Sequence, residues 1–352
     1  MSHIQMPYPQ GANVVDKGSG LASIYNAATA FWQSAVLFAA CRLGLFDALY
    51  RPAGAGEVAQ RLNLSERGVK ALLDSCVSLE LLERAQGAYR NTPAGQRYLT
   101  SRSPESLLVA LALQAETYPM WMNLSEAVMK GQPVIAPNDL LGGDQELTRR
   151  FMVGMHQRAV GIAETLVNIV DLAGCRLLVD IGGGPGTYST FMLKRYPDLR
   201  VRILDLPAIL EVARTLVASS GVDDRIEMVP CDVTADAIGE GFDAALLSGL
   251  LHRMTAQTSR SILRKVYAGM APGGQVIVSD LFTVNGEPEL AVLFGLQMLL
   301  TNETGGAHDA RDVQSWLSDI GFVDVTITSL FPHMAIIARK AFAEAMLEIE
   351  KK

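Results

Sequence analysis

From residue 174 onward, short and nearly unbroken apolar runs alternate with longer stretches of helical spacing. The runs "RLLVDI", "RVRILDL", "RIEMVP", "FDAALLSG" and "GQVIVSDLF" read as five strands. Between them, "TYSTFMLKRYP", "PAILEVARTLVASSG" and "TSRSILRKVYAGMAPGG" read as helices. Strands that are apolar on both faces and joined by helices predict a doubly wound, mostly parallel sheet covered on both sides. Past "DVQSWLSDIGF", the runs "VDVTITSL" and "HMAIIARK" are separated only by Phe331 and Pro332. That gap is too short for a crossover helix, so the sheet is expected to end in an antiparallel pair.

The first hundred residues follow another pattern. "LGLFDAL" closes a long apolar helix, and a short helix follows from Glu57 to Leu62. Ser65 is placed to cap a longer helix carrying Val69, Leu72, Leu73, Cys76 and Leu79 at helical spacing. "LLERAQGAYRNT" then reads as strand, glycine turn, strand. Helix, helix, wing is the order of a winged helix. Residues 105–172 read as mostly helical and rich in methionine and aromatics. The expected division is a winged-helix-like dimerisation domain at 1–105, a helical linker lending pocket residues at 106–172, and a ligand-binding domain at 173–352.

Charge narrows the partners. The chain carries a net charge of −7, and the helix "SERGVKALLDSCVSLELL" offers Arg67 and Lys70 against Glu66, Asp74 and Glu80. Such a face repels phosphate about as much as it attracts it, so nucleic acid is not expected as a partner. The stretch 19–41, "SGLASIYNAATAFWQSAVLFAAC", is uncharged, but Ser23, Asn26, Thr29, Gln33 and Ser34 interrupt it. A helix covered by protein at a subunit interface is expected there, with no membrane contact. The four scattered cysteines form no CxxC pair, and no secretory signal is visible at the amino terminus, so the expected compartment is the cytoplasm.

"LLVDIGGGPGTYSTF", residues 177–191, carries the chemistry. Asp180 ends the first strand, and Gly182, Gly184 and Gly186 form the turn into a helix. The GxGxG spacing departs from the dinucleotide fingerprint, because Thr187 stands where its third glycine would be, and no phosphate-loop lysine is present. The turn suits close backbone approach of a ligand, while Asp180 favours an ammonium over a phosphate. Asp205 ends the second strand, where a carboxylate accepts from ribose hydroxyls. Asp232 ends the third, within reach of an exocyclic amine. Ammonium, ribose and adenine amine together describe S-adenosylmethionine better than a nicotinamide dinucleotide. Each aspartate taken alone could equally cap a helix.

These motifs, "LLVDIGGGPG", "ILDLPAILEVA", "VPCDV" and "LSGLLHRM", resemble the class I methyltransferases of the plant caffeate and bacterial antibiotic O-methyltransferase type. The resemblance covers almost the whole chain, including "FMVGM", "APGGQVIVSD" and the last hairpin. It implies a seven-stranded sheet with an antiparallel last strand, an N-terminal helical winged-helix dimerisation domain, an S-adenosylmethionine cofactor, no metal and a homodimer through the N-terminal helices. It implies that Gly182, Gly184 and Gly186 form the methionine-side loop. It also makes Asp205 with Leu206 the ribose site, Asp232 with Val233 the adenine site, and Ser248 a further cofactor contact.

Transfer from a sulfonium needs positioning and a base for the acceptor hydroxyl. Of the five histidines, His252 follows the fourth strand on the cofactor side and is the expected base. His156 is a candidate for the same pocket, whereas His3 lies near the terminus and His333 starts the last strand. Where many family members follow the histidine with Asp-Trp, Arg253 and Met254 stand here. Arg253 is a candidate to pair with a substrate carboxylate or lower the pKa of a phenol. No clear acidic partner for the histidine is visible: Glu303 and Asp309 in "TNETGGAHDARD" are the candidates. Trp121, Phe151, Met155, Phe294 and Met298 are expected to sandwich a flat acceptor. Methylation of a hydroxyl on an aromatic or enolic small molecule is the leading expectation. A cofactor-binding relative with a non-methylating reaction, and a winged-helix metabolite sensor, remain alternatives.

Overall fold

A computed structural model describes residues 20–134 and 144–342. The amino-terminal residues bearing on a secretory signal, His3 among them, lie outside that range. The chain divides into two compact units between Leu108 and Val109, so the linker expected at 106–172 falls almost wholly within the second.

The first unit contains α1 (Gly20–Arg42), α2 (Leu45–Ala48), α3 (Ala55–Leu62), α4 (Glu66–Ser78), a hairpin of β1 (Leu82–Ala85) and β2 (Ala88–Asn91), and α5 (Pro93–Tyr98). Ser65 caps α4 by accepting from the Gly68 N–H. The buried ring of Tyr89 on β2 donates its hydroxyl to Asp74 on α4 at 2.6 Å, which ties the wing to the helix. The α1 helix leaves Leu21, Ile24, Tyr25, Phe31 and Trp32 exposed in the single chain, and only Ala40 of it is buried. Among the described residues no helix is long and apolar enough to cross a membrane.

The second unit opens with α6 (Leu108–Thr117), a 3-10 turn (Tyr118–Asn123), α7 (Leu124–Lys130) and α8 (Gln145–Ile169). Then follow β3 (Leu177–Ile181), α9 (Thr187–Arg195), β4 (Arg200–Asp205), α10 (Pro207–Val217), β5 (Ile226–Pro230), β6 (Phe242–Ser248) and α11 (Ala256–Gly269). The unit closes with β7 (Met270–Asp280), α12 (Glu289–Thr301), α13 (Ala310–Ile320), β8 (Phe322–Leu330) and β9 (His333–Lys340). The seven strands run in the order β5-β4-β3-β6-β7-β9-β8, with β9 antiparallel to both its neighbours. The strand β7 begins earlier than the pattern "GQVIVSDLF" predicts. Met270 already pairs with Phe242, and a register irregularity between Phe242 and Ala244 admits "APGG" into the strand.

Because side chains alternate across a strand, the sheet carries two cores. Val179, Val276 and Val278 pack with Ile262, Leu263, Val313 and Leu317 of α11 and α13. Leu178, Ile203 and Ile277 pack on the other face with Ile162 and Leu166 of α8 and Met192 of α9. Strand β3 pairs with β4 on one side and β6 on the other, so the chain order reverses there. In open α/β sheets the ligand crevice forms at the carboxyl ends of the strands at such a reversal.

Candidate active site

The glycine turn sits at this reversal. Gly182, Gly184 and Gly186 all have positive φ, and no atom lies within 4 Å of where a Cβ on Gly184 would stand. Gly184 thus presents bare backbone to open space. Asp180 lies beneath the turn rather than at its mouth: it is 1% exposed and accepts the Ser189 hydroxyl at 2.5 Å. Burial pushes its carboxyl up to about 7, against the Ser189 hydrogen bond and with help from the Asp205 charge.

Asp205 accepts from the N–H groups of Gly184 and Leu206, each at 2.8 Å, and burial raises its pKa despite both bonds. Asp232 is exposed and accepts from the hydroxyl and N–H of Thr234, which hold it below the usual carboxylate range. Val233 is buried in the core and Leu206 is exposed. At the end of β6, the Ser248 hydroxyl oxygen is buried without a hydrogen-bond partner. The Tyr188 hydroxyl lies near it but makes no well-directed bond, and burial pushes Tyr188 up to about 12, so it stays neutral. An unpaired buried hydroxyl costs on the order of 1–3 kcal/mol, so this position favours a polar ligand group.

His252 lies in a 3-10 turn (Leu251–Arg253) just past β6. Its Nδ1 stands 2.7 Å from Asp280 Oδ1 at the end of β7, and its backbone N–H donates to Asp280 Oδ2 at 3.2 Å. The His252 side chain is 15% exposed and the Asp280 side chain 2%, so the carboxylate is sealed while the ring stays reachable. Burial alone would raise Asp280. The charge and hydrogen bond of His252, the nearby His333 and the Leu281 N–H outweigh it and hold Asp280 at about 2. An ionised Asp280 fixes the proton on Nδ1 and leaves Nε2 as the basic nitrogen.

A loop after α12 grips this turn from outside. The Thr304 hydroxyl donates to the Arg253 carbonyl at 3.3 Å and the Gly306 N–H to the His252 carbonyl at 2.8 Å. His308 Nε2 donates to the carbonyls of Leu251 and Met254 at 3.0 and 3.1 Å. A Cβ on Gly305 would stand 2.2 Å from the His252 carbonyl oxygen, so the approach requires glycine. Glu303 in this loop is exposed and Asp309 caps α13, and His252 takes Asp280 as its partner instead. The Arg253 guanidinium is surrounded by protein on most sides yet open to solvent, within electrostatic reach of Asp205.

The apolar candidates divide. On α12, Phe294 meets the His252 ring, Gln297 accepts the Trp121 indole N–H at 2.8 Å, and Met298 is almost buried. Phe151 instead packs with Met152 against Ile209 and Val212 of α10. Met155 is half-buried on α8. His156 Nδ1 lies 2.9 Å from the Thr187 hydroxyl at the start of α9, and burial lowers its pKa. Asp280 was not foreseen, although the strand-end rule that singled out Asp180, Asp205 and Asp232 points to it equally. No group of three His, Cys, Asp or Glu side chains among the described residues is arranged to hold a metal ion.

Residues 121–323 match the O-methyltransferase domain family, and residues 25–101 the O-methyltransferase dimerisation domain. The 3-hydroxy-5-methyl-1-naphthoate 3-O-methyltransferase of Streptomyces sahachiroi is 32% identical over 85% of this chain and 88% of its own length. The tetracenomycin polyketide synthesis 8-O-methyl transferase of Streptomyces glaucescens is 30% identical over 91% and 97%. The crystal structure of human N-acetylserotonin methyltransferase in complex with its S-adenosylmethionine cofactor superposes with a TM-score of 0.82 at 27% identity, covering 93% of this chain and 99% of that one.

Proposed function

This chain belongs to the O-methyltransferase family, and from that premise we propose that it methylates a hydroxyl of a flat aromatic or enolic small molecule, using S-adenosylmethionine. The observation that carries the reading is the His252–Asp280 pair at the strand ends, beside the glycine turn and its carboxylates. The residues fit the cofactor. The unpartnered Ser248 hydroxyl and the open space at Gly184 receive it, Asp205 faces its ribose, Asp232 its adenine amine, and Asp180 supports its ammonium from beneath. When bound, the cofactor supplies a methyl group already activated on sulfur.

The protein's own work is then orientation and one proton. Asp280 holds the His252 ring by Nδ1, and Nε2 takes the proton of the acceptor hydroxyl as the oxygen attacks. Phe294, Met298 and Trp121 on and beside α12 form the acceptor's apolar wall, with Met155 and His156 from α8. Arg253, near Asp205, stands on the cofactor side. Naming of the relatives as O-methyltransferases supports this reading, and nothing favours a non-methylating or DNA-sensing role. The exposed apolar face of α1 and the matched dimerisation domain support a homodimer formed through the N-terminal helices. Four free cysteines suit a reducing cytoplasm.

The test is release of S-adenosylhomocysteine, followed by mass spectrometry with a panel of phenols and hydroxyquinones. Product from the native protein and at least about a hundredfold less from His252→Ala is expected. Cofactor binding with no methylated product from any phenolic or enolic acceptor would overturn the reading.

A further inference from the structure

On α12 the acceptor wall is apolar except at one place. Gln297 lies one turn beyond Phe294, about 4.5 Å farther along the helix axis and on the same side. Phe294 meets the His252 ring with centroids 4.9 Å apart, so Gln297 is one helical turn from the residue that touches the base. Met298 and Thr301, which follow it on this side, are buried. The Gln297 side chain is half-buried, and so is Trp121.

The Gln297 carboxamide is oriented by a distant part of the chain. Its Oε1 accepts the Trp121 indole N–H at 2.8 Å. An indole nitrogen only donates, so this bond fixes which end of the carboxamide faces Trp121. Oε1 is occupied, and the Nε2 amino group is the end left over. Among the described residues Nε2 has no acceptor, and it is not sealed inside the protein as the Ser248 hydroxyl oxygen is. It is therefore a reachable donor held in one orientation, with the ordering already done before a ligand arrives. Charge restricts what it suits. The one charged residue of α12 is Glu289, at its start. A neutral donor on an otherwise uncharged helix matches a neutral oxygen, and a carbonyl oxygen offers two lone pairs and no competing donor.

We propose that Gln297 is a specificity-determining residue of the acceptor pocket, its Nε2 donating to a carbonyl oxygen of the acceptor. The preferred acceptors are then hydroxyaromatics or enols that carry a ketone, quinone or amide carbonyl on the same ring as the methylated hydroxyl or on the neighbouring one. The proposal rests on the methyltransferase reading and narrows its substrate class.

The other role open to Gln297 is to hold the indole and nothing more, and two variants separate the roles. Gln297→Glu keeps an oxygen for Trp121 but has no N–H to give, whereas Gln297→Leu keeps neither. The full chain loaded with S-adenosylhomocysteine is titrated by calorimetry with hydroxytetralone isomers, phenols bearing one ketone, and with the hydroxytetralins that lack it. KM is measured for the same compounds with S-adenosylmethionine. Recognition of the carbonyl predicts that Gln297→Glu weakens the best hydroxytetralone about tenfold and its hydroxytetralin less than twofold, with S-adenosylhomocysteine affinity unchanged. Gln297→Leu is expected to weaken the hydroxytetralone at least as much. Native affinity for hydroxytetralone in Gln297→Glu, or equal weakening of both compounds, overturns the proposal and leaves Gln297 as an anchor for Trp121. A native protein that binds S-adenosylhomocysteine but takes no hydroxytetralone, or takes it no better than the hydroxytetralin, also overturns it while the functional reading stands. A native protein that binds neither S-adenosylhomocysteine nor any acceptor fails both.

Discussion

The edge of Phe294 meets the ring of His252, with centroids 4.9 Å apart and planes inclined at 79°. One helix, α12, therefore both braces the His252 ring and holds the Trp121 indole through Gln297. Phe294→Ala and Met298→Ala are expected to raise the acceptor KM several-fold, with S-adenosylhomocysteine affinity changed less than about twofold, since the lost contact is apolar and local. Steady-state kinetics beside calorimetry checks this. Equal losses for acceptor and cofactor would remove α12 from the acceptor wall.

Asp280→Asn keeps the volume but removes the charge that holds the His252 proton on Nδ1. A fall in kcat of about a hundredfold or more is expected, with cofactor affinity preserved. An Asp280→Asn variant that turned over at the unaltered rate would free His252 from this partner.

His308 is the outer support of the same turn. His308→Ala removes the ring donor from the carbonyls of Leu251 and Met254 and leaves the first with only the Met254 N–H. A stability loss of about 1–3 kcal/mol is expected by denaturant unfolding. Alongside it, kcat is expected to fall about tenfold through misplacement of His252. His308→Gln, which retains an N–H donor, is expected to recover part of both. Native kcat in His308→Ala would show that the turn holds its shape without the loop.

Acid stability has two opposed contributions. His333 sits at about 4 in the fold, below the roughly 6.5 of an unfolded histidine. The unfolded chain then binds the extra proton, so this contribution is present above about pH 6.5 and is lost as pH falls toward 4, by up to about 3 kcal/mol. Asp180 at about 7 lies above the unfolded value of about 3.9, so its contribution is present at low pH and is lost as pH rises through 7. Denaturant unfolding from pH 4 to 8 is expected to show a flatter acid limb in His333→Gln and a flatter neutral limb in Asp180→Asn. Superimposable profiles in all three proteins would refute both.

The sheet was legible because its strands are apolar on both faces and its last turn is two residues long. Ser65 was legible for a local reason, since a cap occupies a fixed place relative to its helix; Asp205 was legible as a strand end, but that Asp180 lies beneath the turn was not. The His252–Asp280 pair was not, because Asp280 is 28 residues from His252 and reads as the polar end of an apolar strand. Glu303 and Asp309 lie in or beside the loop that meets the His252 turn, but that loop bonds the turn through the Gly306 N–H, the Thr304 hydroxyl and His308 rather than a carboxylate. The α1 pattern reads as a covered helix, whereas in the single chain its large apolar side chains stand exposed.

Adjacent residues of β7 face opposite sides of the sheet, and here each holds a histidine: Asp280 holds His252, and the Ser279 hydroxyl lies 3.1 Å from His333 Nδ1. The strand's pleat thus behaves as a two-way switchboard, giving one imidazole a carboxylate partner and the other a hydroxyl. Inserting one residue ahead of this dipeptide would break both contacts, leaving His252 before a hydroxyl and carrying the carboxylate to the other face, one place beyond His333. The length of an otherwise unremarkable apolar strand is therefore under chemical constraint, quite apart from what it packs against.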